Sequence, residues 1–171
     1  MVETEKIIEV VKRTKPFFRD REAVGNIRVK GLADYATQVD DGVQKFLAEE
    51  LKKMYPDIGF LGEESYAGEQ VSGRMWIVDP VDGTTNLIHH YRQSVVSAAF
   101  DLAHVAEGST EAYFERNLKI WDYAAGLLLI REAGGNVTDY EGNPIRLTST
   151  INNIVADNGH LGEEIRAIIN E

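Results

Sequence analysis

The sequence predicts a layered α/β or α+β fold. Three observations predict it. Apolar residues recur at helical spacing in segments spread along the chain. Between them lie short runs rich in β-branched and aromatic residues, such as Met75-Trp76-Ile77-Val78. The balance of 43 % hydrophobic and 27 % charged residues is that of an ordinary globular protein. A chain of 171 residues can build one domain, or two small lobes sharing a core.

Residues 3–14 carry Ile7, Ile8, Val10 and Val11 among charges and read as an amphipathic helix that Pro16 ends or kinks. Residues 21–36, with Gly25 and Gly31, read as a loop with a short strand at 27–29, free to close over a site. Asp40 and Asp41 open the next helix as default N-caps, with Val43, Phe46, Leu47, Leu51 and Met54 at helical spacing before Pro56. Asp34, Thr37 and Asp40 recur at three-residue steps ahead of it. The run 58–61 ends at Gly62-Glu63-Glu64-Ser65 and is expected to form a hairpin with 75–78.

That second strand delivers Asp79-Pro80-Val81-Asp82-Gly83-Thr84-Thr85-Asn86. Pro80 stiffens the turn, and Gly83 permits a backbone that a β-carbon resists. Two carboxylates held toward one point offer the oxygen ligands that Mg²⁺ or Ca²⁺ takes, and amides at a helix start suit a phosphate. The same residues also make a strand end, an Asx turn and an N-cap. The stretch alone leaves both readings open.

His89 and His90 follow without a third ligand at useful spacing and read as surface histidines. Residues 94–96 read as a short strand, and 98–106 as a helix closing at Gly108. Residues 111–116 form a candidate strand. Trp121-Asp122-Tyr123-Ala124-Ala125-Gly126 opens an apolar helix that Gly134-Gly135 caps, its small residues allowing close packing on a sheet. Asp122 stands near the positive end of its dipole. Strands at 136–140 and 153–156 and a closing helix through Leu161, Ile165, Ile168 and Ile169 complete the chain.

The formal charge of −10 argues against nucleic acid, whose phosphates demand a basic surface. No cysteine is present, which excludes disulfides and thiolate chemistry and suits a reducing cytoplasm. No apolar run has transmembrane length, and the N-terminal residues lack a signal-peptide layout, so no membrane partner is expected.

Glu64, Asp79, Asp82 and Asp122 all stand at strand ends or helix starts. With them, the sequence resembles the inositol monophosphatase family of lithium-sensitive, magnesium-dependent phosphatases. Gly62-Glu63-Glu64-Ser65 is similar to its Gly-Glu-Glu segment, and residues 79–86 to its Asp-Pro-Ile-Asp-Gly-Thr-Thr-Asn signature. Residues 121–126, with Glu132-Ala133-Gly134-Gly135, are similar to its C-terminal signature. The resemblance implies a reduced version of the family's αβαβα sandwich. An N-terminal lobe, 1–96, would carry the Asp-Pro-Val-Asp motif and a C-terminal lobe, 97–171, the Trp-Asp motif, together forming one compact unit. Relative to the family a middle block is absent, with the seam near residues 92–99. Leu87 stands where an aromatic is usual, and Val96 where the family tends to glycine.

The resemblance implies roles residue by residue. Glu64, Asp79 and the Val81 carbonyl hold one Mg²⁺. Asp79, Asp82 and Asp122 hold a second, within a set of two or three ions sensitive to Li⁺. Glu63 assists through a water. Gly83 and Thr84 amides receive the phosphate, with Asp82 beside it. Thr84, backed by Asp40, orients the attacking water, and Glu115 and Ala98 meet substrate hydroxyls. Glu64, Thr84 and Asp40 are thus the expected catalytic residues. The implied activity is hydrolysis of inositol or sugar phosphates, fructose 1,6-bisphosphate included, by a homodimer. The alternatives are a 3′(2′),5′-bisphosphate nucleotidase and a metal-binding scaffold without catalysis, which the missing block would favour.

Overall fold

The computed structural model describes residues 2–31, 34–68, 71–89, 98–147 and 151–170. The strand expected at 94–96, His90 and Val96 lie outside them. The chain divides into two compact units, Met1–Val95 and Val96–Glu171.

In the first unit, α1 (Thr4–Lys12) is the expected amphipathic helix and buries Val10. The stretch read as a loop is ordered differently. Asp20 caps a short helix, α2 (Arg21–Gly25), by accepting from the Glu22 and Ala23 amides. Strands β1 (Ile27–Gly31) and β2 (Asp34–Thr37) then pair antiparallel, Ile27 opposite Thr37. All five β1 residues are exposed, so no buried alternation marked the strand.

Helix α3 (Gln38–Met54) starts two residues earlier than its aspartates suggested. Thr37 is the N-cap, and its hydroxyl accepts from the Val39 amide at 3.1 Å. Asp40 sits three residues further on and accepts the Thr37 amide at 2.7 Å, which makes a capping box. Val39, Val43, Leu47 and Leu51 line the buried stripe of α3 and meet Val10, Val24 and Val81. Each such side chain contributes about 1.5–3 kcal/mol through burial.

Strands β3 (Gly59–Gly62) and β4 (Met75–Val78) are paired, but parallel rather than as a hairpin, with Gly62 opposite Val78. Residues 63–74 are long enough for the crossover that parallel strands need. The correction matters for function. A hairpin would send Glu64 and Asp79 to opposite ends of the pair, whereas parallel strands deliver both to the same end. Helix α4 (Thr84–Ile88) follows.

The second unit packs helices on one antiparallel sheet. Its elements are α5 (Ala98–Glu107), β5 (Ala112–Lys119), α6 (Ile120–Glu132), β6 (Asn136–Thr138), β7 (Ile151–Asp157) and α7 (Gly162–Ile169). The strand order is β5-β7-β6. Central β7 is buried on both faces, as Ile154, Val155 and Ala156 show. At Gly126 the close approach is to a helix rather than to the sheet. A β-carbon at Gly126 would stand 2.5 Å from Leu102 Cβ, so Gly126 is what lets α5 approach. Amides of Gly134 and Gly135 close α6 on the Arg131 and Ile130 carbonyls, a Schellman end. Strand β6 is shorter than read, because the chain turns at Asp139, which accepts the Asn143 amide.

Candidate active site

The shared end of β3 and β4 organises the acidic residues of the first unit. Beyond β4, the Asp79 carboxylate accepts the Val81 amide at 3.0 Å, an Asx turn that fixes the strand exit. Pro80 and Val81 are buried, and Asp82 is half-buried. Gly83 then takes φ 79°, the left-handed region that the turn into α4 requires.

Thr84, the first residue of α4, reaches across to α3. Its hydroxyl lies 2.8 Å from Asp40 Oδ1 and 3.0 Å from the Val81 carbonyl. It has one proton, and a carboxylate is the stronger acceptor, so the proton goes to Asp40. Asp40 is 1 % exposed. Its other oxygen takes both the Thr37 amide and the Thr37 hydroxyl, each at 2.7 Å. Three short bonds therefore hold a buried acid against one hydroxyl.

Beyond β3, Glu64 is held differently. Its amide donates to Gln44 Oε1 at 3.0 Å. Its carboxylate receives Arg28 Nη2 at 2.8 Å and Lys30 Nζ at 2.9 Å. Lys30 also lies 2.6 Å from Glu63, and Arg28 3.1 Å from Asp41. Burial works against the Lys30 charge, but hydrogen bonds to Glu63 and Glu64 outweigh it and push its pKa up. Burial pushes the Glu63 carboxyl above the usual range, against the pull of Lys30.

The remaining expected residues lie in the second unit. Asp122, in the first turn of α6, accepts the Lys119 amide at 2.8 Å. Ala98 is buried at the start of α5. Glu115 is exposed on β5 and accepts the Tyr113 hydroxyl. Burial, then this hydrogen bond, raises the Tyr113 pKa. Among the described residues, no three His, Cys, Asp or Glu side chains already converge as a metal cage. The donor set of Glu64, Asp79, Asp82 and the Val81 carbonyl is nonetheless all oxygen, which fits Mg²⁺.

Sequence reasoning missed Arg28, Lys30 and Gln44, and it marked Thr37 by its spacing alone, not as the cap and partner of Asp40. Arg28 and Lys30 stand two apart, so they share one face of a strand. That spacing was the available signal, but their partners lie 34–36 residues away.

The chain belongs to the inositol monophosphatase family. A family-wide sequence model matches residues 3–97 and 90–171 in two segments that overlap where the missing block was expected. Inositol-1-monophosphatase of Rhizobium meliloti is 32 % identical over 251 aligned positions, spanning 94 % of this chain and 92 % of the relative. That alignment is longer than the chain, so it passes over positions the chain lacks. The extragenic suppressor protein suhB from Bartonella henselae matches with a TM-score of 0.79 at 27 % identity, over 98 % of each chain. The Thermotoga maritima IMPase matches with a TM-score of 0.81 at 20 % identity, over 99 % of this chain and 97 % of its own. The last likeness speaks for the α/β fold alone.

Proposed function

We propose that the chain is a Mg²⁺-dependent phosphomonoesterase acting on inositol monophosphate or a related sugar phosphate. The observation that carries this is the link from Asp40 to Thr84 beside the Asp79 turn. Because Thr84 gives its proton to Asp40, its oxygen keeps lone pairs that accept a proton from water. The hydroxyl thus holds a water with its own lone pairs turned away, toward a phosphorus. Asp40 cannot swing, because Thr37 holds its far oxygen, so the polarity of the relay is fixed. With the Thr84 proton committed, the Val81 carbonyl keeps lone pairs for a cation.

Glu64, Asp79, Val81 and Asp82 would hold the metal, and Asp122 is proposed as a further ligand on its residue type and motif. Bound Mg²⁺ would offset phosphate charge and lower the pKa of a water. Gly83 and Thr84 amides are proposed for the phosphate, and Glu115 and Ala98 for substrate hydroxyls. A cytoplasmic location is proposed from the absence of cysteine. Among the described residues, no helix is long and apolar enough to cross a membrane. A homodimer is proposed because Phe100, Leu128 and Leu129 are exposed on α5 and α6.

Phosphate release from inositol 1-phosphate, fructose 1,6-bisphosphate and adenosine 3′,5′-bisphosphate, with and without Mg²⁺, tests the reading. Mg²⁺-dependent release, fastest from the inositol or sugar ester, is expected. Preference for the adenosine compound would make the chain a nucleotidase. Metal binding without release from any ester would make it a scaffold.

A further inference from the structure

We propose that β1 is an electrostatic strap whose Arg28 and Lys30 compete with a divalent cation for Glu64. The inference rests on the reading of Glu64 as a metal ligand. Successive strand residues point to opposite faces. A strand with one covered face ordinarily turns its apolar residues inward. Strand β1 does the reverse. Ile27 and Val29 are 44 % and 68 % exposed, while Arg28 and Lys30 face Glu63 and Glu64.

Apolar burial therefore cannot set the orientation of this strand, and the ion pairs can. They are extensive. Arg28 bridges Asp41 and Glu64, and Lys30 bridges Asp34, Glu63 and Glu64. The Glu64 side chain is 2 % exposed, whereas that of Arg28 is 53 % exposed. Strand β1 thus lays two cationic side chains over a nearly inaccessible carboxylate.

A divalent cation at Glu64 removes the charge that attracts Arg28 and Lys30 and adds one that repels them. Cation binding and strap docking therefore oppose each other, and the coupling is reciprocal. The strap keeps Glu64 neutralised and blocks it, so a cation binds more weakly than it would to the uncovered acid.

Calorimetric titration with MgCl₂ of the full chain, of Arg28→Gln/Lys30→Gln and of Glu64→Gln tests this. Hydrogen exchange of the 27–31 amides is measured beside it, with and without saturating Mg²⁺. The double variant should bind Mg²⁺ more tightly, by about fivefold or more. The β1 amides of the unaltered chain should exchange faster when Mg²⁺ is present. Unchanged or weaker binding by the double variant overturns the strap, as does unchanged or slower exchange. If the double variant does not fold, exchange in the unaltered chain decides alone. Glu64→Gln separates the premises, since undiminished Mg²⁺ binding there overturns Glu64 as a ligand, whatever the strap does.

Discussion

Asp40 and Glu64 are two nearly inaccessible carboxylates of the same unit, and they are compensated in opposite ways. Asp40 is met by neutral donors: a backbone amide and two hydroxyls. Glu64 is met by two cationic side chains reaching from β1. Neutral donors fix geometry while leaving the charge, so Asp40 suits the holding of one hydroxyl. Cations cancel charge but sit on long, flexible stems, so what holds Glu64 is exchangeable. One acid is built to position, and the other to change partners.

The largest expected effect comes from the proposed metal turn. Asp79→Asn should lower Mg²⁺-dependent phosphate release by more than about 100-fold, beyond what loss of a ligand's supporting hydrogen bond costs. Near-normal activity there would remove Asp79 from the site.

The next prediction sets the two modes of compensation against each other in stability. Asp40→Ala loses the capping box and leaves the buried Thr37 amide unsatisfied. It should cost about 2–3 kcal/mol in urea unfolding. Glu63→Gln, beside the exchangeable cluster, should cost less than about 1 kcal/mol. The folded state raises the Glu63 pKa, so it favours the protonated acid. Its contribution is fully present below the unfolded carboxyl pKa and lost as pH rises through the folded one. Glu63→Gln should therefore compare more favourably with the unaltered chain at neutral pH than at pH 4. An opposite trend would mean that Lys30 dominates.

What was legible follows the same division. The stripe of α3, the glycine end of α6 and the Asx turn at Asp79 are written in neighbouring residues and were within reach of sequence reading, which nonetheless put the α3 cap on Asp40 rather than Thr37 and missed the Asp20 cap of α2. Parallel pairing of β3 with β4 was not legible, because both strands are short apolar runs and neither direction leaves a local mark. The ion pairs of Arg28 and Lys30 with Glu63 and Glu64 span more than thirty residues, and nothing in the neighbouring sequence marks those partners. Resemblance supplied candidate roles for Asp79, Asp82, Thr84 and Asp122. It did not supply the strand direction that brings Glu64 and Asp79 to one end.

A smaller effect tests the second unit alone. Gly126→Ala should cost about 1–3 kcal/mol, because its β-carbon meets Leu102 and α5 must shift. Thermal melts check it, and an unchanged midpoint would mean that the helices are free to separate. Light scattering at low micromolar protein bears on the exposed faces of α5 and α6. A species of twice the 19.1 kDa chain is expected, and a stable monomer would refute the proposed dimer.

The central claim is that the Thr84 hydroxyl, polarised by Asp40, holds the attacking water. The most direct test compares Thr84→Ser with Thr84→Val in Mg²⁺-dependent phosphate release from inositol 1-phosphate, with Mg²⁺ affinity measured in parallel. The serine variant is expected to work within a few-fold of the unaltered chain. The valine variant should lose about 100-fold or more in kcat while binding Mg²⁺ as before. A valine variant with undiminished kcat would contradict it.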